Sequence, residues 1–367
     1  MQTPSLNISS EAEHLCALLA DWPRQVVAAW LAEHQGNLGS VDIRQVKKPD
    51  AGLKRRTSVR AYLSLSRCEL PPRFNPYEHF ALSILDAGYP DWLRTIPDPP
   101  LVLFGLGRRS ALDQQMVAIV GARRCTTTDR SMAFELAKGL AENGCNIVSG
   151  LAVGIDAAAH RGALAAQGGT TTAVLGAGFG NLYPKQNTQL AQQLLAAGGL
   201  LVSEYPTEVA PRPYHFPERN RIISGLSELT VLVEASEKSG SLITARLALE
   251  QGRDVCAVPG PATSPLSGGC HRLIRQGAAL VTSVAEVAEE LGWSLARSVD
   301  ATEPAHNESA LTGLSAEVCH AISDQSRQFD EIVALVSGDP QQVSQCLMEL
   351  QLGGFVRQGS DGYIRVL

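Results

Sequence analysis

The sequence lacks the marks of several function classes. Its eight cysteines form no CxxC pair, and no Cys/His cluster has zinc-ligand spacing, so neither a zinc module nor a disulfide scaffold is expected. No apolar run is long enough to span a bilayer, and the opening MQTPSLNISSEAEHL has no basic region followed by an apolar stretch, so neither a membrane span nor a secretory signal is expected. Walker, HExxH and GxSxG motifs are missing, as are a GxGxxG fingerprint and an acid placed to hold a ribose. Positive charge is not in excess: 31 Lys and Arg against 37 Asp and Glu give −6, which argues mildly against a basic footprint spread over the whole surface. These absences point to a reduced cytoplasmic protein with ordinary free thiols, no metal and no cofactor.

What is present is a glycine-rich alternation of strands and helices. Most of the 33 glycines in 367 residues fall between Gly105 and Gly277, where tight strand-to-helix turns need them. Apolar runs predict strands at Leu101–Gly105, Val117–Val120, Asn146–Ser149, Thr172–Leu175, Leu200–Ser203, Thr230–Glu234, Val255–Val258 and Ala279–Val281. Helical patterns fill Arg130–Asn143, Ala157–Gln167, Thr188–Ala197 and Leu242–Gln251. Strands apolar on both faces and separated by helices predict a Rossmann-like α/β fold, a doubly wound and mostly parallel sheet over residues 77–295.

The flanks read differently. Residues 1–73 carry helically spaced Leu15, Leu18, Leu19, Val26, Val27, Trp30 and Leu31, then a basic stretch from Arg44 to Arg73. They predict a small helical domain with a charged face. The Pro- and aromatic-rich PPRFNPYEHF and GYPDWLRTIPDPP predict a connecting linker. A polar linker over 296–309 leads to residues 310–367, where three helical patterns and a hairpin around Gly359–Gly362 predict a winged helix. Its presumed recognition helix carries Gln341, Gln342, Gln345 and Glu349 but no Lys or Arg. That favours a protein contact over reading of a duplex and argues against a sequence-specific regulator.

Ligands bind open α/β sheets outside the carboxyl ends of the strands, which directs attention to the loops there. The first is Gly121-Ala122-Arg123, with a glycine for close backbone approach and a guanidinium fork. The second, SGLAVGIDAAAH over 149–160, brings Ser149, Gly150 and the Asp156/His160 pair. That pair reads as a helix cap with a packed histidine in preference to a metal or acid–base pair. The third, GAGFGNLYPKQN over 176–187, mixes Gly178, Phe179, Tyr183 and Lys185, suited equally to stacking unpaired bases beside a cation and to an ordinary Pro-containing turn with Tyr183 in the core. The fourth, FPERNRIISGLS over 216–227, brings Arg219, Asn220 and Arg221, in which phosphate contact competes evenly with bracing of the loops. The fifth leads to Ser239-Gly240-Ser241 at a helix start, a natural anion site.

In order and spacing these motifs, with GRDVCAVPG and LIRQGA after them, resemble the DNA-processing DprA/Smf family over roughly Tyr77 to Trp293. The first segment resembles that family's variable helical N-terminal (SAM-like) domain, and the tail its winged helix. The resemblance implies a non-enzymatic protein that binds and protects single-stranded DNA, forms a homodimer, and loads RecA onto the strand during natural transformation and recombination. It implies strand-binding roles for Gly121, Arg123, Ser149, Gly150, Gly178, Lys185, Arg219, Asn220, Arg221, Ser239, Gly240 and Ser241. It implies self-association through the helix of Leu273 and Ile274. One departure bears on the pocket: where the family usually has Tyr-Gly, this chain has Thr128-Asp129, which adds a negative charge.

The expected mechanism follows. Arg123 and Lys185 neutralise phosphates, glycine amides donate to phosphate oxygens, and Phe179 or Tyr183 stacks a base. The rival is a Rossmann-like hydrolase of a nucleotide or sugar phosphate, with Asp156, Glu204 and Glu234 as candidate carboxylates.

Overall fold

The computed structural model describes residues 76–293 continuously, together with 74, a few positions between 7 and 31, and 313–322, 327–352, 355–359 and 362–365. The basic stretch before Arg73, most of the helical N-terminal module and the 296–309 linker lie outside the described residues. The chain divides into two compact units, 1–295 and 296–367.

Among the described residues, the first unit is built on a ten-stranded sheet. Its strands are β1 (Asn7–Ile8), β2 (His79–Ser83), β3 (Val102–Gly107), β4 (Met116–Val120), β5 (Asn146–Ser149), β6 (Thr170–Leu175), β7 (Leu200–Ser203), β8 (Leu229–Leu232), β9 (Asp254–Ala257) and β10 (Ala279–Leu280). Their spatial order is β1-β2-β3-β7-β6-β5-β4-β8-β9-β10. From β7 to β10 every pairing is parallel, whereas β2 and β3 add antiparallel pairings at one side. The mostly parallel doubly wound sheet read from the sequence is therefore the fold.

Alternate residues of β4 explain why its sequence shows no polar face. Val117 and Ile119 join Leu136 and Ala159 in one apolar cluster, while Met116, Ala118 and Val120 join Ile222 and Leu226 in another. A strand covered by helices on both sides has no solvent face to mark. Within residues 76–293 the helices are α1 (Asp91–Arg94), α2 (Thr127–Glu142), α3 (Ile155–Ala165), α4 (Thr188–Ala196), α5 (His215–Leu226), α6 (Ser241–Glu250), α7 (Gly268–Arg275) and α8 (Val284–Glu290).

Three readings change. The segment taken as a linker contributes β2, whose five residues are all buried against β3. Phe80 of this strand lies over Gly105, where an added Cβ would sit 2.1 Å from the ring. The start of the chain is not purely helical, because β1 pairs with β2. The run FPERNRIISGLS, read as a loop, forms α5, with Arg219, Ile222, Ile223 and Leu226 on its buried side.

The chain passes from β4 outward through β5 and β6 to β7, then returns to place β8 on the other flank of β4. The ends of β4 and β8 thus border the crevice where strand order reverses, the position at which open α/β sheets bind ligands.

Among the described residues, the second unit has three helices, α9 (Leu314–Ala321), α10 (Phe329–Leu335) and α11 (Pro340–Leu352), and an antiparallel hairpin of β11 (Val356–Gly359) and β12 (Gly362–Arg365). Val318, Ile332, Val343, Leu347 and Val356 form its core. This is the expected winged helix, and Gln341, Gln342, Gln345 and Glu349 of α11 are exposed.

Candidate functional site

Arg123, after β4, and Lys185, after β6, are both exposed. Two aromatic rings link their loops. The Arg123 guanidinium lies 5.7 Å from the centroid of Phe216, and Phe216 stands 5.4 Å from Tyr183 in a tilted pair. Tyr183 is 47% exposed, and Phe216, at the start of α5, is half-buried. Gly176 makes room for this arrangement, because a Cβ there would meet the Phe216 ring at 3.0 Å. The result is a run of a guanidinium and two aromatic rings, Arg123, Phe216 and Tyr183, with Lys185 two residues beyond Tyr183 in sequence, a combination that suits a strand with unstacked bases.

Phe216 opens the motif FPERNRIISGLS, and the sequence alone assigns it no role. Its place at the helix start, beside the Arg-Asn-Arg cluster, carries no signal of its own. Phe179, by contrast, is fully buried in the core and meets His79 edge-on at 5.6 Å. It has no face to offer a base, so that expectation is corrected: the exposed ring of the loop is Tyr183, four residues on.

The glycine turns act inward. The Gly150 amide donates to Asp156 Oδ2 at 3.1 Å, and the Gly178 amide to the Val209 carbonyl at 2.9 Å. Neither is directed at a ligand, which overturns the reading of these amides as phosphate donors. Gly178 is needed for close approach: a Cβ would lie 1.9 Å from the Pro206 carbonyl. Gly121 likewise lets Ile155 pack, at 2.7 Å from an added Cβ. The Ser149 hydroxyl is buried and donates to the Ile119 carbonyl.

Arg219 and Arg221 are buried and brace the surrounding loops. Arg219 is 4% exposed. Its Nη1 donates to the carbonyls of Gly150, at 2.8 Å, and Val174, tying the ends of β5 and β6 together. Burial draws its pKa down to about 10, with Asp156 acting against the shift. Burial also pushes the Asp156 carboxyl above the usual carboxylate range, countered first by Arg219. Arg221, 6% exposed, pairs with Glu204 at 2.7 Å and Asp98 at 3.2 Å. Of the two alternatives left open for this motif, bracing is what the buried arginines do. Asn220 between them is half-buried.

The remaining candidates fall into place. Ser239 and Ser241 hold each other by a hydroxyl–hydroxyl bond of 2.7 Å, with exposed Gly240 between them at the start of α6. His160 is fully buried, and its Nδ1 lies 2.7 Å from Thr171 Oγ1. That hydroxyl donates its proton to the Ile147 carbonyl, so Nδ1 carries the imidazole proton and Nε2 is bare. Burial holds the His160 pKa down at about 3. Asp156 and His160 are thus packed groups, as the plainer reading had them. Leu273 is 7% exposed and belongs to the core, whereas Ile274 is half-buried against it; Leu273 presents little surface to a partner.

The rival hydrolase loses most of its carboxylates to structural bonds. Asp156 accepts loop amides and Glu204 holds Arg221. Glu234 pairs with neither Arg219 nor Arg221 among the described residues. Its Oε2 accepts the Thr126 amide at 2.9 Å across the crevice. Burial, then the neighbouring Asp129 carboxyl, raises its pKa to about 7. Among the described residues no group of three or more His, Cys, Asp or Glu gathers as metal ligands, and no helix is long and apolar enough to cross a membrane.

Comparison with known proteins completes the description. Residues 80–292 match the family model for DNA recombination-mediator protein A, and residues 302–362 that for the DprA winged helix domain. The chain is 39% identical to protein Smf of Escherichia coli (strain K12) over 349 residues, 93% of this chain and 90% of that protein. The X-ray structure of DNA processing protein A from Streptococcus pneumoniae aligns at 35% identity with a TM-score of 0.60, covering 77% of this chain and 98% of that one. A structure of the Helicobacter pylori DNA processing protein A, concerned with that protein's single-stranded DNA binding mode, aligns at 30% identity with a TM-score of 0.53, covering 59% of this chain and 96% of that one.

Proposed function

We propose, for a chain that belongs to the DNA recombination-mediator protein A (DprA/Smf) family, that it binds single-stranded DNA along the rim from Arg123 to Lys185 and does no covalent chemistry on it. The observation that carries this reading is the cation–aromatic–aromatic series Arg123, Phe216, Tyr183, with Lys185 two residues beyond Tyr183. The two cations neutralise phosphates, Tyr183 and Phe216 offer faces to unstacked bases, and Ser239-Gly240-Ser241 extends the anion-facing rim towards α6. Asn220 is a further polar contact from α5.

Phosphate contacts and stacking carry little sequence information, so binding is general in sequence. A duplex binds worse, because its bases are already stacked on one another. The protein works in the cytoplasm, protects the strand, and hands it to RecA during transformation and recombination. It acts as a homodimer, in which Ile274 contributes more than Leu273 and paired rims raise apparent affinity through effective concentration.

A mobility shift with single- and double-stranded DNA of equal length tests the reading, with RecA added afterwards. Preference for the single strand and faster RecA filament growth are expected. Equal affinity for both forms, or a double Arg123→Ala/Lys185→Ala variant that binds oligo-dT as tightly as the unaltered chain, overturns it.

A further inference from the structure

The motif GAGFGNLYPKQN ends on an asparagine with no part in the contacts described so far. Lys185, Gln186 and Asn187 form a single 3-10 turn, and its two ends differ. Lys185 is exposed, whereas Asn187 is 3% exposed. Asn187 Nδ2 crosses to the loop after β5 and donates to the Leu151 carbonyl at 2.8 Å, in a buried bond. The Asn187 amide donates to the Pro184 carbonyl at 3.0 Å, so backbone and side chain both fasten the turn that carries the lysine.

The accepting residue has an uncommon backbone. Leu151 stands at φ +56°, in the left-handed region that a leucine rarely adopts unless its surroundings impose it. Its side chain is fully buried, in one apolar cluster with Phe179, Leu182 and Leu190. The amides on either side, of Gly150 and Ala152, donate to Asp156 Oδ2 at 3.1 and 3.4 Å. Asn187 therefore ties the lysine turn to a loop that is already fixed. That loop continues to Gly154, where an added Cβ would lie 2.3 Å from the Ala122 carbonyl oxygen. Next comes Ile155, whose amide donates to the same carbonyl at 3.2 Å. The loops of Lys185 and Arg123 are thus both seated on residues 150–155.

A lysine carries its charge on a flexible four-carbon stem, so its ammonium is only as well placed as the backbone beneath it. The Arg123 loop has a separate hold, the Ala122 amide on the Glu234 carbonyl at 2.7 Å. We infer that Asn187 is a positioning residue of the strand site: through its bond to Leu151 it sets where Lys185 meets the phosphate chain, without touching the strand itself. This role rests on the strand-binding reading, and it leaves the Arg123 side of the site independent of Asn187.

Oligo-dT binding at several salt concentrations tests it, with Asn187→Ala, Lys185→Ala, Arg123→Ala and the two double variants that join Asn187→Ala to each cation change. Circular dichroism checks the folding of each. Asn187→Ala should weaken binding as much as Lys185→Ala does and lower the salt slope by about 0.7, one phosphate contact. Added to Lys185→Ala it should change neither quantity further, whereas added to Arg123→Ala it should cost its full factor, because residues that act through one group are not additive. Asn187→Gln, which keeps the amide donor, should recover part of both. A general loss of stability would instead weaken binding in both backgrounds and leave the slope alone, which overturns the role. So does a folded Asn187→Ala with unaltered affinity and slope beside a weakened Lys185→Ala. Asn187→Ser replaces Asn187→Ala if the latter does not fold, and failure of both to fold makes Asn187 purely structural and overturns the role as well. A Lys185→Ala variant that binds as tightly as the unaltered chain overturns the strand-binding reading itself, and the role of Asn187 falls with it.

Discussion

Arg219 is bonded through Nη1 to the carbonyl oxygen of Gly150, 2.8 Å away, and this bond separates two kinds of arginine in the molecule. Arg219 is sealed beneath the loops and sets their shape, whereas Arg123 stands above them with its guanidinium over a ring.

Replacement of Arg219 by Ala should therefore act on stability first. It leaves Asp156 buried without its counter-charge and two carbonyls without a donor, a loss of about 3–5 kcal/mol. Chemical denaturation measures it. In the folded fraction the slope of log K against log salt should be unchanged, because no phosphate contact is removed. A slope that falls by about 0.7 would mean that Arg219 touches the strand.

The double variant Arg123→Ala/Lys185→Ala should do the reverse. Both side chains are exposed, so the melting temperature should hardly move, while the salt slope of oligo-dT binding should flatten by roughly 1.4, about 0.7 for each lost phosphate contact. Fluorescence titration at several salt concentrations reads it.

The three rings should separate by role. Tyr183→Ala and Phe216→Ala should each weaken strand binding by about 1–3 kcal/mol, the worth of one base stack. Phe179→Ala should lower stability by roughly 3–5 kcal/mol as a core truncation, and the protein that remains folded should bind as before. Paired affinity and denaturation measurements on the three variants decide it.

Stability should decline with acid because of His160. Its imidazole is neutral in the fold, with a pKa of about 3 in place of 6.5. As pH falls from 6.5 towards 3, the unfolded chain takes up a proton that the folded chain refuses, so the unfolded state gains by at most roughly 1.4 kcal/mol per pH unit. Above 6.5 this contribution is constant. Urea midpoints across the range, compared with those of His160→Gln, should show a smaller acid loss in the variant.

Strand β4 is legible because burial on both faces leaves an unbroken apolar run, Met116–Val120, whereas the threonines that open β6 shorten its visible run. Strand β2 was hidden by its surroundings: prolines precede it, and its pairing with β3 depends on Gly105 admitting Phe80, a contact no local pattern announces. The start of helix α5 is hard to read because Glu218, Arg219, Asn220 and Arg221 show no apolar face, the two arginines pointing inward to partners such as Gly150 and Glu204 that are distant in sequence. At the site, the identity of the loops was legible from glycine and charge. The direction in which Gly150, Gly178 and Phe179 face was not, since amide partners such as Asp156 and Val209 are set by tertiary structure. Phe216 was missed for the same reason, as its partners Arg123 and Tyr183 come from two other loops.

The order in which the chain visits the sheet has a practical outcome. A break in the connection between β7 and α5 would leave Arg123, Tyr183 and Lys185 on one piece and Phe216, Glu234 and Ser239 on the other. Each piece would own half of the crevice and neither a working grip, so activity recovered on mixing them would report reassembly of the sheet itself, making this connection the natural seam for a split version of the protein.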